Sequence, residues 1–343
     1  MSERVYFGKG LLEIELTPLF YKLVEANMNP GEYGLICTTP DQNPALWTAL
    51  ASAIAARGAV PVVVMVPADV WHKRDPPKMI AEAMKHANII FWSGTPDNIT
   101  WVYGSARIEA SKRGVKSMSN MFCVEAMLQT GKADILEVKK YVKACEKALN
   151  EAKRFRLLTK GCELTGTLEG RKSYPLYPIA EPPYNSGTFA GAEAMMAPIE
   201  GTAEGTMYVD GAIGGGVGTV SEPVIVTVEK GLFVKAEGGA EARLLNSLIL
   251  ERYRHDKGAR YLCEFSIGCH PLARAGPGVS VHEFKNLLGT LHIAFGDNHN
   301  FGGGHPDVAG KVSSDLHVDC LTLKPTLELD GKLVIENGKL LIV

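Results

Sequence analysis

Residues 35–66 read LICTTPDQNPALWTALASAIAARGAVPVVVMV. The apolar run at 35–38 predicts a strand, and residues 43–57 predict an amphipathic helix that ends before a glycine. Residues 61–66 are almost entirely aliphatic and predict a second strand, which we expect to be buried. A strand, a helix and a strand at this spacing predict a βαβ unit with parallel strands.

The same alternation extends through the first half of the chain. Helices are predicted at 77–86 and 100–113, and a strand is predicted between them at 88–92. Residues 135–158 are dense in lysine and glutamate and predict a solvent-facing helix that leads out of the domain. The pattern indicates a mostly parallel sheet in a Rossmann-like α/β domain.

After about residue 159 the composition changes, and glycine, proline and short β-rich segments replace the alternation. One helix is predicted at 241–254. The β-rich segments lie at 173–183, 224–228 and 321–343. We therefore expect an α/β protein with two domains, a Rossmann-like domain at 1–158 and an α+β domain at 159–343.

The bulk composition is that of an ordinary globular chain. Its 343 residues are 46% hydrophobic and 22% charged, which allows two domains with substantial cores. Lysine and arginine total 36 against 38 acidic residues, so no global field attracts nucleic acid or an anionic membrane surface. We expect neither of these partners.

The cysteines and the N-terminal residues are typical of a cytoplasmic protein. Residues 1–10 carry charges and lead into no long apolar run, so we expect neither a secretory signal nor a transit peptide. The apolar run at 60–66 is too short for a membrane span, which needs about 20 residues. The seven cysteines are scattered and never spaced Cys-x-x-Cys, which indicates a reducing compartment.

Two glycine-rich segments could be mistaken for phosphate-binding loops. Residues 211–218 lack the following helix of a dinucleotide-binding fingerprint, because a proline and a strand come next. We interpret them as a loop between strands whose glycines permit positive φ. Residues 301–305 also predict a flexible loop, which lies near enough to His292 and His317 in sequence to line a site there.

Several ionisable residues lie where burial is expected. His317 and Asp319 alternate in a strand-like stretch, so both side chains should project from the same face. Glu193, Glu264 and His292 each lie inside a largely apolar run, where an unpaired charge would be costly to bury. Five hard donors are too many for one structural zinc and suit a pair of metal ions, with zinc, manganese, cobalt or iron acceptable.

At these positions the sequence resembles the metallo-aminopeptidases of the aminopeptidase T type. In that family the first ligand glutamate lies five residues before a proline, as Glu193 does here. A Leu-Gly-Glu segment is matched by 262–264, a Gly-Thr-Ile-His-Leu-Ala-Leu-Gly segment by 289–296, and a His-Trp-Asp segment by 317–319. The similarity of motifs covers the C-terminal half, whereas the N-terminal half is similar only in layout.

This resemblance implies a dinuclear metallohydrolase. Two divalent ions (zinc, cobalt or manganese) would be held in the C-terminal domain by Glu193, Glu264, His292, His317 and Asp319. Glu264 would bridge the ions, and a bridging hydroxide would attack the carbonyl of an amide bond in a peptide or a small molecule. The family also implies a homodimer.

One position departs from that family. Its aminopeptidases carry a tyrosine seven residues after the first ligand histidine, and here that position is His299. A histidine can donate the same hydrogen bond or act as a general acid near neutral pH. We therefore take Glu264 and His299 as the candidate catalytic residues. The alternative, that His299 is only a loop residue, stays open.

The chain also resembles the 2,5-dihydroxypyridine 5,6-dioxygenases in length and in the segments 203–206 and 229–231. That resemblance implies one iron(II) held by two histidines and an aspartate, with a histidine at the position of Glu264 and no counterparts of Glu193 and His292. The alternative function is therefore a mononuclear iron(II) ring-cleaving dioxygenase. A binding protein without enzymatic activity is a third hypothesis.

Overall fold

The structure is a computed structural model that describes residues 11–94, 101–119, 123–276 and 279–343. Within these ranges, no helix has both the length and the apolar character needed to cross a membrane. The predicted helix at 100–113 begins on a residue outside the described ranges. The rest of it is a 3₁₀ turn at Trp101–Tyr103 followed by an α-helix at Ser105–Lys112.

The first half of the chain alternates helices and strands, as predicted. Asn43 caps the helix after the first strand, because its side chain accepts a hydrogen bond from the backbone N–H of Ala45 at 3.0 Å. The elements are α1 (Leu11–Asn27), β1 (Tyr33–Thr38), α2 (Pro44–Ala56), β2 (Val60–Met65), α3 (Ala68–Trp71), α4 (Lys78–His86), β3 (Ile89–Ser93), α5 (Ser105–Lys112), β4 (Lys116–Ser119), α6 (Val124–Thr130) and α7 (Ile135–Glu151).

The second half consists mainly of short strands. The predicted helix at 241–254 is a short α-helix, Ala240–Asn246, followed by a π-helical segment, Ser247–Arg252. The elements are β5 (Arg154–Thr159), β6 (Cys162–Thr167), β7 (Tyr174–Leu176), β8 (Ser186–Thr188), β9 (Glu193–Met196), β10 (Glu204–Val209), β11 (Ala212–Ile213), β12 (Gly218–Thr219), β13 (Val224–Glu229), β14 (Leu232–Glu237), α8 (Ala240–Asn246), β15 (Leu262–Gly268), α9 (Val281–Phe284), β16 (Leu291–Gly296), β17 (His317–Thr322), β18 (Thr326–Leu329), β19 (Lys332–Glu336) and β20 (Lys339–Leu340).

The parallel sheet has the strand order β2-β1-β3-β4-β8, and all its pairs are parallel. Helices cover both faces: α1, α2 and α6 pack on one, and α3, α4 and α5 on the other. The predicted Rossmann-like domain is confirmed. The last strand, β8, comes from the second half of the chain and returns to this sheet.

Strand β2 is not buried, which corrects the prediction for 61–66. It is the edge strand of the parallel sheet, and Val60, Val62 and Met65 are 41%, 40% and 47% exposed. An aliphatic run shows that a segment is extended, but its position in the sheet order decides how much of it neighbouring elements cover.

The predicted helix at 135–158 is too long. Helix α7 ends at Glu151, and the extended backbone of Ala152 leads into strand β5. In β5, exposed arginines alternate with buried apolar side chains, which is the period of a strand. The predicted solvent-facing character is also only half right, because Val142 and Leu149 on one side of α7 are buried in the core.

The second half forms two antiparallel sheets. The eight-stranded sheet has the order β14-β13-β10-β6-β5-β18-β19-β20, and the seven-stranded sheet has the order β12-β11-β17-β16-β15-β9-β7. The predicted boundary at 158/159 falls inside β5, whose partners β6 and β18 belong to the eight-stranded sheet. The division into domains 1–158 and 159–343 stays a prediction.

One apolar core joins the two antiparallel sheets. Phe155 of the eight-stranded sheet lies 4.4 Å from Phe265 of the seven-stranded sheet between ring centroids, and Phe233 lies 5.2 Å from Phe295 in the same way. Because side chains alternate along a strand, the neighbours of these residues in the seven-stranded sheet project from its opposite face. We call the face packed on the eight-stranded sheet the core face and the opposite one the site face.

The packing of the eight-stranded sheet can be tested in the hairpin of β18 and β19. Leu327 is fully buried, so Leu327→Ala should lower the free energy of unfolding by about 2–5 kcal/mol. Leu333 is 39% exposed, so the same substitution there should change it by about 0.5 kcal/mol or less. Urea unfolding measures both values. Equal losses would contradict the described packing.

Candidate metal centre

Five ionisable side chains converge on the site face of the seven-stranded sheet. The strand register explains why. Ala294 of β16 lies opposite Glu264 of β15 on one side and Asp319 of β17 on the other. His317 lies two residues before Asp319 on the same face of β17, and its ring contacts the carboxylates of Glu264 and Asp319. Because the side chain of Ala294 is small, the longer side chains of Glu264 and Asp319 on either side can approach each other above it.

The five donors form two groups that share Glu264. One group is Glu193, Glu264 and His292, and the other is Glu264, His317 and Asp319. In each group the potential ligand atoms lie within 4.8 Å of one another. All five side chains are buried. The structure therefore brings together every residue predicted as a metal ligand, and their binding of metal stays a prediction.

Glu264 lies between the two histidines. Its Oε1 is 2.9 Å from Nε2 of His292, and its Oε2 is 3.2 Å from Nε2 of His317. Nε2 of His317 is also 3.2 Å from Oδ1 of Asp319. Glu193 lies somewhat farther out, with its Oε2 3.6 Å from Nε2 of His292 and 3.1 Å from the hydroxyl of Ser266.

Lys285 connects the outer carboxylates of the two groups. Its Nζ lies 3.4 Å from Oε1 of Glu193 and 3.3 Å from Oδ2 of Asp319. The other oxygen of each carboxylate faces the histidines. The ammonium thus holds both carboxylates with one oxygen turned inward, which leaves that oxygen available to a metal ion.

A backbone carbonyl sets the orientation of the His317 ring. Nδ1 of His317 is 3.0 Å from the carbonyl oxygen of Asp297, to which a neutral ring donates its Nδ1–H. Nε2 faces Glu264 and Asp319. Burial lowers the pKa of His317, but interactions with neighbouring groups, including the hydrogen bond to Asp319, outweigh it and raise that pKa well above its usual value. As a metal ligand, Nε2 would give up its proton and present a lone pair. The side chain of Asp297 is itself held by Arg74, whose Nη2 is 2.8 Å from Oδ1. This outer hydrogen bonding is typical of metal-ligating histidines.

The cluster carries excess negative charge. Burial by itself raises the pKa of Glu264, but hydrogen bonds to His292 and His317 outweigh it and hold that pKa at about 2. Burial acts in the same direction on Asp319, and Lys285 and His317 hold its pKa well below the usual value. As metal ligands both imidazoles would be neutral, and the three carboxylates and one ammonium would then give a formal charge of −2. One divalent cation would neutralise it.

Two adjoining cavities give access to the cluster. The inner cavity, of about 120 Å³, lies between the metal centre and the parallel sheet. The outer cavity, of about 320 Å³, is bounded on one side by the glycine loop that was predicted at 211–218. The two cavities share the lining residues Tyr103, His282, Lys285 and His317.

The glycine loop has the backbone geometry that its sequence predicts. Gly215, Gly216 and Gly218 have φ angles of 65°, 81° and 96°, a region that favours glycine. In the second predicted loop, the ring of Phe301 lies 6.3 Å from that of His317, and Phe301 lines the inner cavity. The loop predicted at 211–218 is shorter than expected, because β11 and β12 occupy its ends, and Phe301–Gly303 is a 3₁₀ turn. Both segments line the cavities.

The N-terminal half contributes residues that the sequence did not mark. The ring of Tyr103 lies 5.5 Å from that of His317, and burial raises the pKa of Tyr103 to about 12, so its hydroxyl stays protonated. Arg107 lines the inner cavity. Its helix carries charges at 107, 109 and 112, a pattern that is typical of a solvent-facing helix and gave no signal of a buried role.

His299 lies apart from this arrangement. Its side chain is exposed, and it belongs to neither donor group and lines neither of the two cavities. Its backbone N–H donates to the carbonyl oxygen of Val312 at 3.0 Å. The catalytic role given to His299 stays a prediction. Tyr103 offers a protonated hydroxyl at the cavities instead.

Comparisons with known proteins find one matching family and similar solved structures. A family model described as NicX, 2,5-dihydroxypyridine 5,6-dioxygenase, matches residues 15–342. A solved 2,5-dihydroxypyridine dioxygenase from Pseudomonas putida KT2440 superposes with a TM-score of 0.81 and 18% identity, covering 96% of this chain and 98% of that one. Wild-type AmpT from Thermus thermophilus superposes with a TM-score of 0.62 and 16% identity, covering 97% and 100%. No curated protein matches the sequence.

These identities are low enough that the two structures show a shared fold and no more. That fold agrees with the predicted class, a parallel-sheet domain joined to a domain of antiparallel sheets. The family match is a separate finding, because it covers nearly the whole chain.

Glu264 should be the most sensitive residue for metal binding, because it belongs to both donor groups. We expect Glu264→Gln to lower the affinity for Zn²⁺ by at least about 100-fold, more than the loss of an outer hydrogen-bond partner causes. Competition titration against a chromophoric chelator measures the affinity. Glu237→Gln is the control, since the side chain of Glu237 is 58% exposed on β14. Unchanged affinity in Glu264→Gln would contradict the site.

Proposed function

The chain belongs to the 2,5-dihydroxypyridine 5,6-dioxygenase family, and on that basis we propose that it is a metal-dependent enzyme that opens a small hydroxylated heteroaromatic ring with dioxygen. The family match over residues 15–342 carries this proposal. Because of this match, ring opening ranks above amide hydrolysis as the proposed function. A single iron(II) is the cofactor that it implies.

The residues present fit one divalent cation. Glu264, His317 and Asp319 offer three converging donors, and the surrounding formal charge of −2 matches one such ion. The set departs from the usual two histidines and one carboxylate of iron(II) oxygenases, because a glutamate stands in place of one histidine. His292 keeps a second imidazole next to this glutamate, at 2.9 Å.

Bound iron(II) would supply the activation of dioxygen, and the chain's own residues would bind and orient the ring. The hydroxyl of Tyr103 stays protonated and can donate a hydrogen bond to a substrate oxygen. Burial lowers the pKa of His282 to about 4, so its ring is neutral near pH 7 and can accept a hydrogen bond from a substrate hydroxyl. Phe301 and Tyr103 supply the apolar walls that a planar ring requires.

Oxygen consumption tests the proposed reaction. After anaerobic loading with iron(II), 2,5-dihydroxypyridine should cause uptake of dioxygen in an amount equal to the substrate consumed. His317→Ala removes a donor and should reduce the rate at least about 100-fold. His86→Ala, on an exposed helix end, should leave the rate unchanged. The proposal fails if the loaded enzyme takes up no oxygen with hydroxylated pyridines.

A dinuclear amide hydrolase is the second candidate. The specific observation in its favour is the second donor group, in which Glu193 and His292 share Glu264 with the first group. These five side chains would hold two ions, which would supply an activated water for attack on a substrate carbonyl, as the resemblance to aminopeptidase T implies. Tyr103 could donate a hydrogen bond to the developing oxyanion, since it lines both cavities.

Metal content in a His292 variant separates the two candidates, because His292 belongs only to the second donor group. With a mononuclear centre, wild type and His292→Ala should both bind one ion per chain. With a dinuclear centre, the count should fall from two to one, and wild type should release amine from an aminoacyl amide without dioxygen. Elemental analysis after dialysis measures the count. Two ions in the wild type would favour the hydrolase.

Two further expectations concern the protein's surroundings. A homodimer is expected from the resemblance to aminopeptidase T, and a cytoplasmic location is expected from the scattered cysteines. Both stay predictions. Light scattering of the purified chain measures the first of them.

A further inference from the structure

The inner cavity contains a buried arginine with neutral partners. Arg107 is only 4% exposed. Its Nη1 donates to the carbonyl oxygen of Asn300 at 2.9 Å, and its Nη2 lies 3.2 Å from the hydroxyl of Tyr174 and 3.1 Å from that of Ser186. Its Nε–H is also buried and has no hydrogen-bond partner in the described structure.

The charge of Arg107 therefore lacks a counter-ion among the described residues. The other buried cation near the site, Lys285, differs in this respect, because it forms ion pairs with Glu193 and Asp319. A guanidinium removed from water without an anion is costly, and an unsatisfied buried N–H adds to that cost. Such a group is expected where a ligand brings the missing negative charge.

The position of Arg107 is that of a ligand-binding residue. The inner cavity is lined by Arg107 and also by Glu264 and His317 of the metal centre. Ser119 and Thr188 line it too, at the carboxyl ends of β4 and β8. In open parallel sheets, ligands bind in the crevice beyond the carboxyl ends of the strands.

We propose that Arg107 binds a carboxylate of the substrate, and that the natural substrate is a small hydroxylated aromatic or heteroaromatic acid. The carboxylate pairs with the guanidinium in the inner cavity, and the ring lies between Arg107 and the metal donors. This inference rests on the proposed function for the location of the substrate, and it adds a charged group that 2,5-dihydroxypyridine lacks. Arginine suits this task because its planar fork matches the two oxygens of a carboxylate.

The competing explanation is that Arg107 only holds the two halves of the chain together. It does join helix α5 to Asn300, Tyr174 and Ser186. A purely structural arginine would affect stability and the binding of all ligands alike. A carboxylate-binding arginine would affect the preference for charged over neutral ligands, and this difference is measurable.

The test compares two probes that differ by one carboxylate, 5-hydroxypyridine-2-carboxylate and 3-hydroxypyridine. Calorimetry measures their affinities for the full chain, with and without Zn²⁺, which supports no redox turnover. Wild type should bind the carboxylate probe at least about tenfold more tightly. Arg107→Gln should weaken that probe by about 10- to 100-fold, as expected for the loss of a charged hydrogen bond, and change 3-hydroxypyridine less than about twofold.

Two further variants complete the design. Arg107→Lys keeps the cation without the fork, retains a folded chain if Arg107→Gln is unstable, and should bind the carboxylate probe with intermediate affinity. Arg113→Gln is the matched control, because Arg113 is exposed directly after the same helix and should behave as wild type. Thermal unfolding of each variant reports any structural effect.

The inference is overturned if wild type binds the two probes equally or binds neither. It is also overturned if the substitution of Arg107 weakens both probes alike. Failure of the proposed reaction would be seen separately, as absence of oxygen uptake while the carboxylate preference remains intact.

Discussion

The site depends on the alternation of side chains in the seven-stranded sheet. Its core face carries large apolar residues, of which Phe265 and Phe295 pack against aromatic rings of the eight-stranded sheet. The opposite face is thereby fixed in register, and Glu264, His292 and Asp319 project from it together. Slipping one strand by a single residue would turn its ionisable side chains into the core, so the packing of the two sheets holds the candidate metal ligands in place.

Charge balance links the metal centre to the inner cavity. The carboxylates on the site face have more negative charge than Lys285 can neutralise, and a divalent cation would supply the remainder. Arg107 has the opposite imbalance, since its described partners are all neutral. A metal ion would neutralise the carboxylates and an anionic ligand would neutralise Arg107, because a buried charge is costly only while it has no partner.

Contacts between the two halves of the chain complete the site. Arg74 holds Asp297, whose carbonyl oxygen orients His317, and the ring of Tyr103 packs near the same histidine. The parallel sheet thus contributes orientation and a cavity wall, while the seven-stranded sheet contributes the donors. The same fold can serve ring cleavage or amide hydrolysis, because the reaction depends on the number of ions and on the cavity-lining residues.

The sequence by itself determined the features that rest on local pattern. It located β1, α2 and the parallel sheet, the alternation of His317 and Asp319, and the five donors, because periodicity and ionisable residues in apolar runs are visible without a fold. Tertiary structure alone decided that β2 is an exposed edge, that α7 ends at Glu151, and that Tyr103 and Arg107 reach the site. The physical reason is that sheet order, register and burial arise from contacts between residues far apart in the chain, which no local pattern specifies.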